Sequence, residues 1–280
     1  MLRRTVLSLP GLAALGTLAG CTDEAGPSTE DEMTATPAPG RHAYGADPSQ
    51  HGELFLPSGT PRGVVVVIHG GFWRSAYDAG LGRPLAESLA AQGWAAWNLE
   101  YRRVGAGPGG GGGAPATFDD VAAGIDLLAD LDVDTSTVVA LGHSAGGHLA
   151  TWAAARGRHG WAERVPVTHV VSQAGVLDLR AAHDAGLGNG AVAELLGHPP
   201  TGADARYDPA QQLPLDVPVW CVHGRADANV PFEQSADYVA RATAAGADAE
   251  LVEVEGDHFV VIDPGSAAWR RQLEILDGIG

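Results

Sequence analysis

The stretch from Thr137 to Arg156, TVVALGHSAGGHLATWAAAR, changes its hydrophobic period once, in the middle. Thr137 to Leu141 is a short apolar run of the kind a buried strand uses. Ala145 to Arg156 has the composition of a helix. Between them stand only Gly142, His143 and Ser144, so the strand turns into the helix with no loop between. A strand that feeds directly into a helix is the building step of a parallel sheet, because parallel neighbours need a crossover. Working outward from this step, strands are predicted at Glu53–Leu56, Val64–Ile68 and Trp94–Leu99 before it, and at Val167–Ser172, Val217–His223 and Glu250–Val254 after it. Helices are predicted at Leu81–Gln92, Phe118–Leu131, Phe232–Ala245 and Ala267–Ile279. The expected fold is α/β over residues 51–280: a mostly parallel sheet with helices on both faces. Residues 176–214 break the rhythm with Gly, Pro and His among short helical pieces, and a small cap over the site is expected there.

Composition removes several chemistries. The 280 residues hold 17 basic side chains against 34 acidic ones, a net charge of −17, and every basic one is arginine. Without lysine there is no Walker phosphate loop, no Schiff base and no Ser-Lys hydrolase. The acidic field argues against nucleic acid as a partner. Gly105 to Gly113, GAGPGGGGG, formally contains the dinucleotide pattern, but no helix opens at its third glycine, so it reads as a flexible connector. No cofactor and no metal are expected, since no clustered Cys/His spacing appears.

The N-terminus reads as an export signal. Arg3-Arg4 precedes an apolar run from Thr5 to Leu18, and Leu18-Ala-Gly-Cys21 resembles a bacterial lipoprotein lipobox. That resemblance implies a signal peptide over 1–20, a lipid on Cys21 that holds the chain at the membrane, and a place on the extracytoplasmic face; plain secretion is the alternative. Residues 21–50, rich in Pro, Thr and acid, are expected to form a disordered tether. Cys221 is then left unpaired, and no disulfide framework is available.

In a chain with 39 glycines the pattern Gly142-x-Ser144-x-Gly146 means little alone. Its strand-turn-helix setting is what a nucleophile elbow requires, where only small residues two places either side of the serine avoid collision. A serine hydroxyl needs a base, and the base needs an acid to hold it. With the order Ser, acid, His, the one histidine after the Val217–His223 strand is His258. Asp227 is the acid just past that strand, with Asp178 and Asp257 as alternatives. His143, His148 and His223 read as packed or hydrogen-bonded neighbours. Glu100 to Arg103 reads as a structural ion pair or a group orienting a loop or a substrate. Trp73 and His143 are candidate pocket residues.

With the strand VVVVI, the turn His69-Gly-Gly-Phe-Trp73, the serine elbow, Asp227 and His258 all in order, the sequence resembles the α/β-hydrolase superfamily. HGGFW and GHSAGGHL are similar to hormone-sensitive-lipase-type esterases, to feruloyl and acetyl-xylan esterase-like proteins and to kynurenine formamidases, whose signature is HGG-x-W. Phe72, where the first of these has a third glycine, leans toward the HGG-x-W branch. The resemblance implies Ser144, Asp227 and His258 as a triad, and the main-chain N–H groups of Gly71, Phe72 and Ala145 as oxyanion donors. It implies a small-molecule carboxylic ester as substrate. An arylformamidase and a catalytically silent binding module are the alternatives.

Overall fold

The computed structural model describes residues 39–279. Residues 1–20 and Cys21, read above as signal and lipid site, lie outside the described residues, as does most of the expected tether. In chain order the elements are β1 (Gly40–Ala43), β2 (His51–Phe55), β3 (Val64–Ile68), α1 (Arg83–Ala91), β4 (Ala95–Leu99), α2 (Ala116–Asp126), β5 (Val138–His143) and α3 (Ala145–Ala153). They continue with β6 (His169–Gln173), α4 (Leu179–Asp184), α5 (Ala191–Leu196), β7 (Val219–Gly224), α6 (Glu233–Ala244), β8 (Ala249–Val254) and α7 (Ala267–Asp277). The strands form one sheet in the order β1-β2-β4-β3-β5-β6-β7-β8. From β4 through β8 every pairing is parallel, and β2 joins β4 antiparallel. This is the α/β-hydrolase fold.

All five residues of β3 are buried because both of its faces are covered. Val64, Val66 and Ile68 pack with Phe118 and Ile125 of α2, Leu149 and Trp152 of α3 and Tyr238 of α6. Val65 and Val67 point the other way, onto Leu85 and Leu89 of α1 and Trp269 and Leu276 of α7. The period-2 alternation thus divides one apolar run between two cores. Each such side chain contributes roughly 1.5–3 kcal/mol by leaving water.

Two expectations change. The tether does not extend to residue 50: Gly40–Ala43 pairs antiparallel with β2 at the sheet edge, and Tyr44 donates to the Glu100 carbonyl at 2.6 Å. A short polar edge strand is held by main-chain bonds and by partners distant in sequence, which leave no apolar period to read. The helices also stop short. α2 ends at Asp126 and tightens into a 3-10 turn over Leu127–Asp130, and α3 ends at Ala153. The expected cap lies between β6 and β7. It holds α4, α5 and three 3-10 turns, and buries Ala182, Leu187, Val192 and Leu195 in the same core as α3. The Gln234 side chain of α6 ties it down by accepting from the N–H groups of Leu177 and Asp178 at 2.8 Å each.

Candidate active site

Ser144 stands at the carboxyl end of β5 with φ 56° and ψ −117°. This is a conformation that an L residue keeps only when its surroundings enforce it. The surroundings are glycines. A Cβ on Gly142 would lie 2.1 Å from the Gly146 carbonyl oxygen, and one on Gly146 would lie 2.0 Å from the Ile68 carbonyl oxygen. The Ser144 N–H donates to the Gln173 carbonyl at 2.8 Å, fixing the elbow to β6. The serine is the N-cap of α3, so the helix directs its positive end toward it.

His258, in the turn after β8, donates from Nδ1 to Asp227 Oδ2 at 2.6 Å. His143, the residue before Ser144, donates from Nε2 to the His258 carbonyl at 2.9 Å, and the two rings lie 4.4 Å apart. His258 is thereby seated beside the neighbour of Ser144. Burial, and after it the adjacent His258, pushes the His143 pKa down to about 3, so its ring is a neutral donor. His143 therefore positions the loop that carries His258.

The Asp227 side chain is buried, though its backbone is partly exposed, and its carboxylate is fully used. Oδ1 accepts from the N–H groups of Asn229 at 2.7 Å and Val230 at 2.9 Å, and Oδ2 takes His258. Oδ2 also accepts from His223 Nε2 at 3.1 Å, and His223 Nδ1 accepts from the Ser235 hydroxyl at 2.8 Å. Burial works against a charge here. The hydrogen bonds from His223 and His258 and from the Val230 amide outweigh it, and hold the carboxyl well below the ordinary carboxylate range. The two alternative acids are occupied elsewhere: Asp178 caps α4 and pairs with Arg241 at 3.0 Å, and Asp257 accepts from the Phe259 N–H at 2.9 Å.

The HGGFW turn runs beside the elbow. Gly70 approaches so closely that a Cβ there would lie 2.7 Å from the His143 carbonyl oxygen. Gly71, Phe72 and Trp73 all have positive φ, at 109°, 55° and 56°. Two of the three are not glycine, so the turn is strained and needs restraint. Trp73 supplies one restraint. Expected as a candidate pocket residue, it is fully buried, and its indole N–H donates to His148 Nδ1 at 3.2 Å. His148 in turn donates from Nε2 to the Tyr207 carbonyl at 2.8 Å, and burial pushes its pKa down to about 4. The tryptophan of the turn and the histidine of GHSAGGH are therefore a single bond between the turn and α3. The cap supplies another. Arg74 pairs with Glu194 at 2.7 Å and donates to the Gly188 carbonyl at 2.7 Å, while the Phe72 ring occupies the space a Cβ on Gly188 would need.

The glycine-rich stretch is not a free connector. It folds back on Arg103, whose main-chain N–H donates to the Gly109 carbonyl and whose carbonyl accepts from Gly112, each at 2.8 Å. A Cβ on Gly109 would lie 1.9 Å from an Arg103 guanidinium nitrogen, and one on Gly112 would lie 2.2 Å from the Arg102 carbonyl oxygen. Just before it, the Val104 N–H donates to the Trp73 carbonyl at 2.7 Å. The stretch is thus packed against the back of the HGGFW turn. Its glycines meet side chains and carbonyls that only the folded chain brings close.

A groove of about 570 Å³ opens between the cap and the acid loop, lined by Leu187, Gly188, Asp227, Asn229, Pro231 and Phe232 among others. Among the described residues, no group of three or more His, Cys, Asp or Glu could hold a metal ion.

The BD-FAE family model matches residues 53–241. Among solved structures, esterase 2 of the Planctomycetes species Thermogutta terrifontis with propionate bound is similar at 26% identity. That match has a TM-score of 0.68 and covers 86% of this chain and 93% of that one. Esterase B of Lactobacillus rhamnosis, inhibited by a tributyrin phosphonate, matches at 23% identity and TM-score 0.73, over 85% of this chain and 83% of that one. A truncated carbohydrate esterase from gut microbiota matches at 22% identity and TM-score 0.69, over 90% and 98%. The last two likenesses are likenesses of fold. Among curated proteins no sequence matches this one.

Proposed function

The chain belongs to the BD-FAE family, and from that premise we propose that it is a serine hydrolase that cleaves carboxylic esters through an acyl-enzyme. The observation that carries this reading is the 2.6 Å bond between His258 and a fully engaged Asp227, with His258 held by His143, the neighbour of a serine at φ 56° at the head of a helix. With Nδ1 committed to Asp227, His258 Nε2 takes the Ser144 proton as the hydroxyl attacks the ester carbonyl. The tetrahedral oxyanion forms against the N–H groups of Gly71, Phe72 and Ala145, each such donor contributing about 3 kcal/mol. His258 returns the proton to the leaving alcohol, and water, activated by the same ring, then releases the acid from Ser144. Asp227 keeps the imidazole in the correct tautomer and stabilises its charged form. Esterase activity in the similar Thermogutta protein supports the ester class.

Ser144→Ala should abolish turnover of p-nitrophenyl acetate with a melting curve like that of wild type, and a fluorophosphonate should label wild type once per chain. Turnover surviving in Ser144→Ala removes the assignment. The sequence before residue 22 supports a lipid anchor on Cys21 and a place on the outer face of the membrane. Fatty-acid labelling that is lost in Cys21→Ala is the expected result, and equal labelling of both chains removes that reading.

A further inference from the structure

The His69–Glu100 pair stands at the start of the HGGFW turn. His69, Glu100 and Arg103 are 2%, 5% and 3% exposed, so this is a buried polar cluster that must serve something to be retained. His69 faces an oxygen on each side: Nδ1 lies 2.8 Å from the Gly70 carbonyl and Nε2 lies 3.2 Å from Glu100 Oε1. The ring stacks at 4.5 Å on Tyr101, whose hydroxyl donates to the His69 carbonyl at 2.8 Å.

Glu100 ties the turn to the segment that follows it. Oε1 meets His69 at the start of the turn, and Oε2 accepts from the Ala79 N–H, six residues past Trp73, at 2.9 Å. The Arg103 guanidinium completes the carboxylate at 2.7 Å and also donates to the Tyr77 carbonyl. The Tyr77 ring fills the space where a Cβ on Gly71 would stand, 2.4 Å from it. Burial opposes ionisation of Glu100, but the bond and charge of His69, the charge of Arg103 and the Ala79 amide outweigh it and hold the carboxyl below its ordinary range.

The consequence follows from the planarity of one amide. The cis peptide bonds of the described chain are at Ala114–Pro115 and Leu213–Pro214, so the Gly70–Gly71 peptide is trans. In a trans amide the C=O and N–H point in opposite directions. Holding the Gly70 carbonyl toward His69 therefore aims the Gly71 N–H away from it. A Gly-Gly peptide has little torsional preference of its own, so its plane is set from outside. The geometry points to Glu100 and His69 as positioning residues of the oxyanion hole: Glu100, seated by Arg103, holds the His69 ring, and His69 Nδ1 fixes the plane of the peptide whose N–H meets the oxyanion. This rests on the ester-hydrolase reading, since it needs an oxyanion to receive.

Glu100→Gln, His69→Leu and the double variant on p-nitrophenyl acetate test the circuit, with active sites counted by fluorophosphonate. An oxyanion donor acts in the transition state, so each single variant should lose tenfold or more in kcat per titrated site while KM stays within twofold. Because the two residues act in series, the double variant should be within threefold of the worse single one. Losses that multiply, unchanged kcat per titrated site, or losses confined to KM overturn the proposal. Should Glu100→Gln not fold, His69→Asn against His69→Leu decides. The amide keeps a donor near the Nδ1 position and should retain at least tenfold more kcat, and equal values overturn the proposal. The two readings fail separately: activity in Ser144→Ala defeats the ester-hydrolase mechanism, whereas an inert Ser144→Ala with unimpaired Glu100 and His69 variants defeats only the positioning circuit.

Discussion

Gly146→Ala sets two effects of opposite sign against each other inside α3. Replacing a helical glycine by alanine stabilises by at most about 0.5–1 kcal/mol, the mid-helix figure, because alanine loses less freedom on folding, and Gly146 stands in the first turn of α3. Here the new Cβ would stand 2.0 Å from the Ile68 carbonyl oxygen and 2.5 Å from that of His69, whereas ordinary contact begins at 3.4 Å. Some 1.4 Å of relief is needed against two backbone atoms that no rotamer change can move. Overpacking of this kind costs about 1–3 kcal/mol, so the net effect is destabilising, by up to about 2.5 kcal/mol. At roughly 2–4 °C per kcal/mol for a domain of this size, Tm should fall by several degrees. The kinetic effect should be larger. The displaced atoms lie at the point where β3 passes into the HGGFW turn, and a misplacement near 1 Å of a catalytic group costs on the order of 100-fold. The assay is kcat on p-nitrophenyl acetate beside a thermal melt, with Gly202→Ala as control, since a Cβ there meets nothing within 4 Å. If Gly146→Ala keeps kcat within threefold of wild type and melts no lower than the control, the steric account of the elbow is wrong.

Further outcomes follow from the bonds around the triad and the cap. His223→Leu removes one of four donors to Asp227 and strips the Val230 carbonyl and the Ser235 hydroxyl of their partner; urea titration should show a loss of about 2–4 kcal/mol, and His223→Gln should recover part of it. Arg74→Ala breaks a half-exposed pair with Glu194, worth at most about 1 kcal/mol, yet it frees the cap from the turn, so KM should change more for a long-chain ester than for acetate; equal changes for both contradict the clamp. Asp208, buried in the cap, has its pKa pushed up by burial to about 6. A carboxyl raised in the folded state binds protons that the unfolded chain releases, so this group's contribution is present below about pH 4 and is lost as pH rises through 6. Asp208→Asn should therefore gain on wild type by roughly 2 kcal/mol between pH 4 and pH 7, and a difference that does not vary with pH refutes the assignment. Comparing kcat/KM on N-formylkynurenine with that on acetyl and feruloyl esters should favour an ester, and a preference for the formamide would transfer the chain to the arylformamidase reading.

Much of this molecule was legible in its sequence wherever function and fold impose a local rule. The elbow needs small residues at fixed offsets from Ser144, and strands buried on both faces read as continuous apolar runs. Chain order was enough to prefer Asp227 and His258 from a crowded set of acids and histidines, and the 2.6 Å bond joins them. What could not be read is what depends on partners far apart in sequence. Nothing around Trp73 says that its indole will meet His148, 75 residues on; an aromatic beside a catalytic turn looks the same from the sequence whether it lines a pocket or anchors a loop. β1 failed to show for a related reason, since its order comes from main-chain pairing at an edge. His223 was recognisable as a neighbour, but its grip on the acid depends on Ser235 setting its tautomer from another element. Glu100 to Arg103 read first as a structural ion pair and second as a group orienting a loop or a substrate, and the pair is there, Arg103 to Glu100 at 2.7 Å.

The glycine-rich stretch behind the HGGFW turn also bears on how the gene tolerates change. A segment that resembles a linker is where a deletion or an epitope insertion is usually tried first. Here one glycine more or fewer between Gly105 and Gly113 would slip the register by which Gly109 and Gly112 hold Arg103. The error would pass through Val104 to the Trp73 carbonyl, at the rear of the HGGFW turn. A library of indels across this run should therefore be depleted of active clones as strongly as one across the serine elbow, while exposed turns with open space, such as the one at Gly59, absorb them.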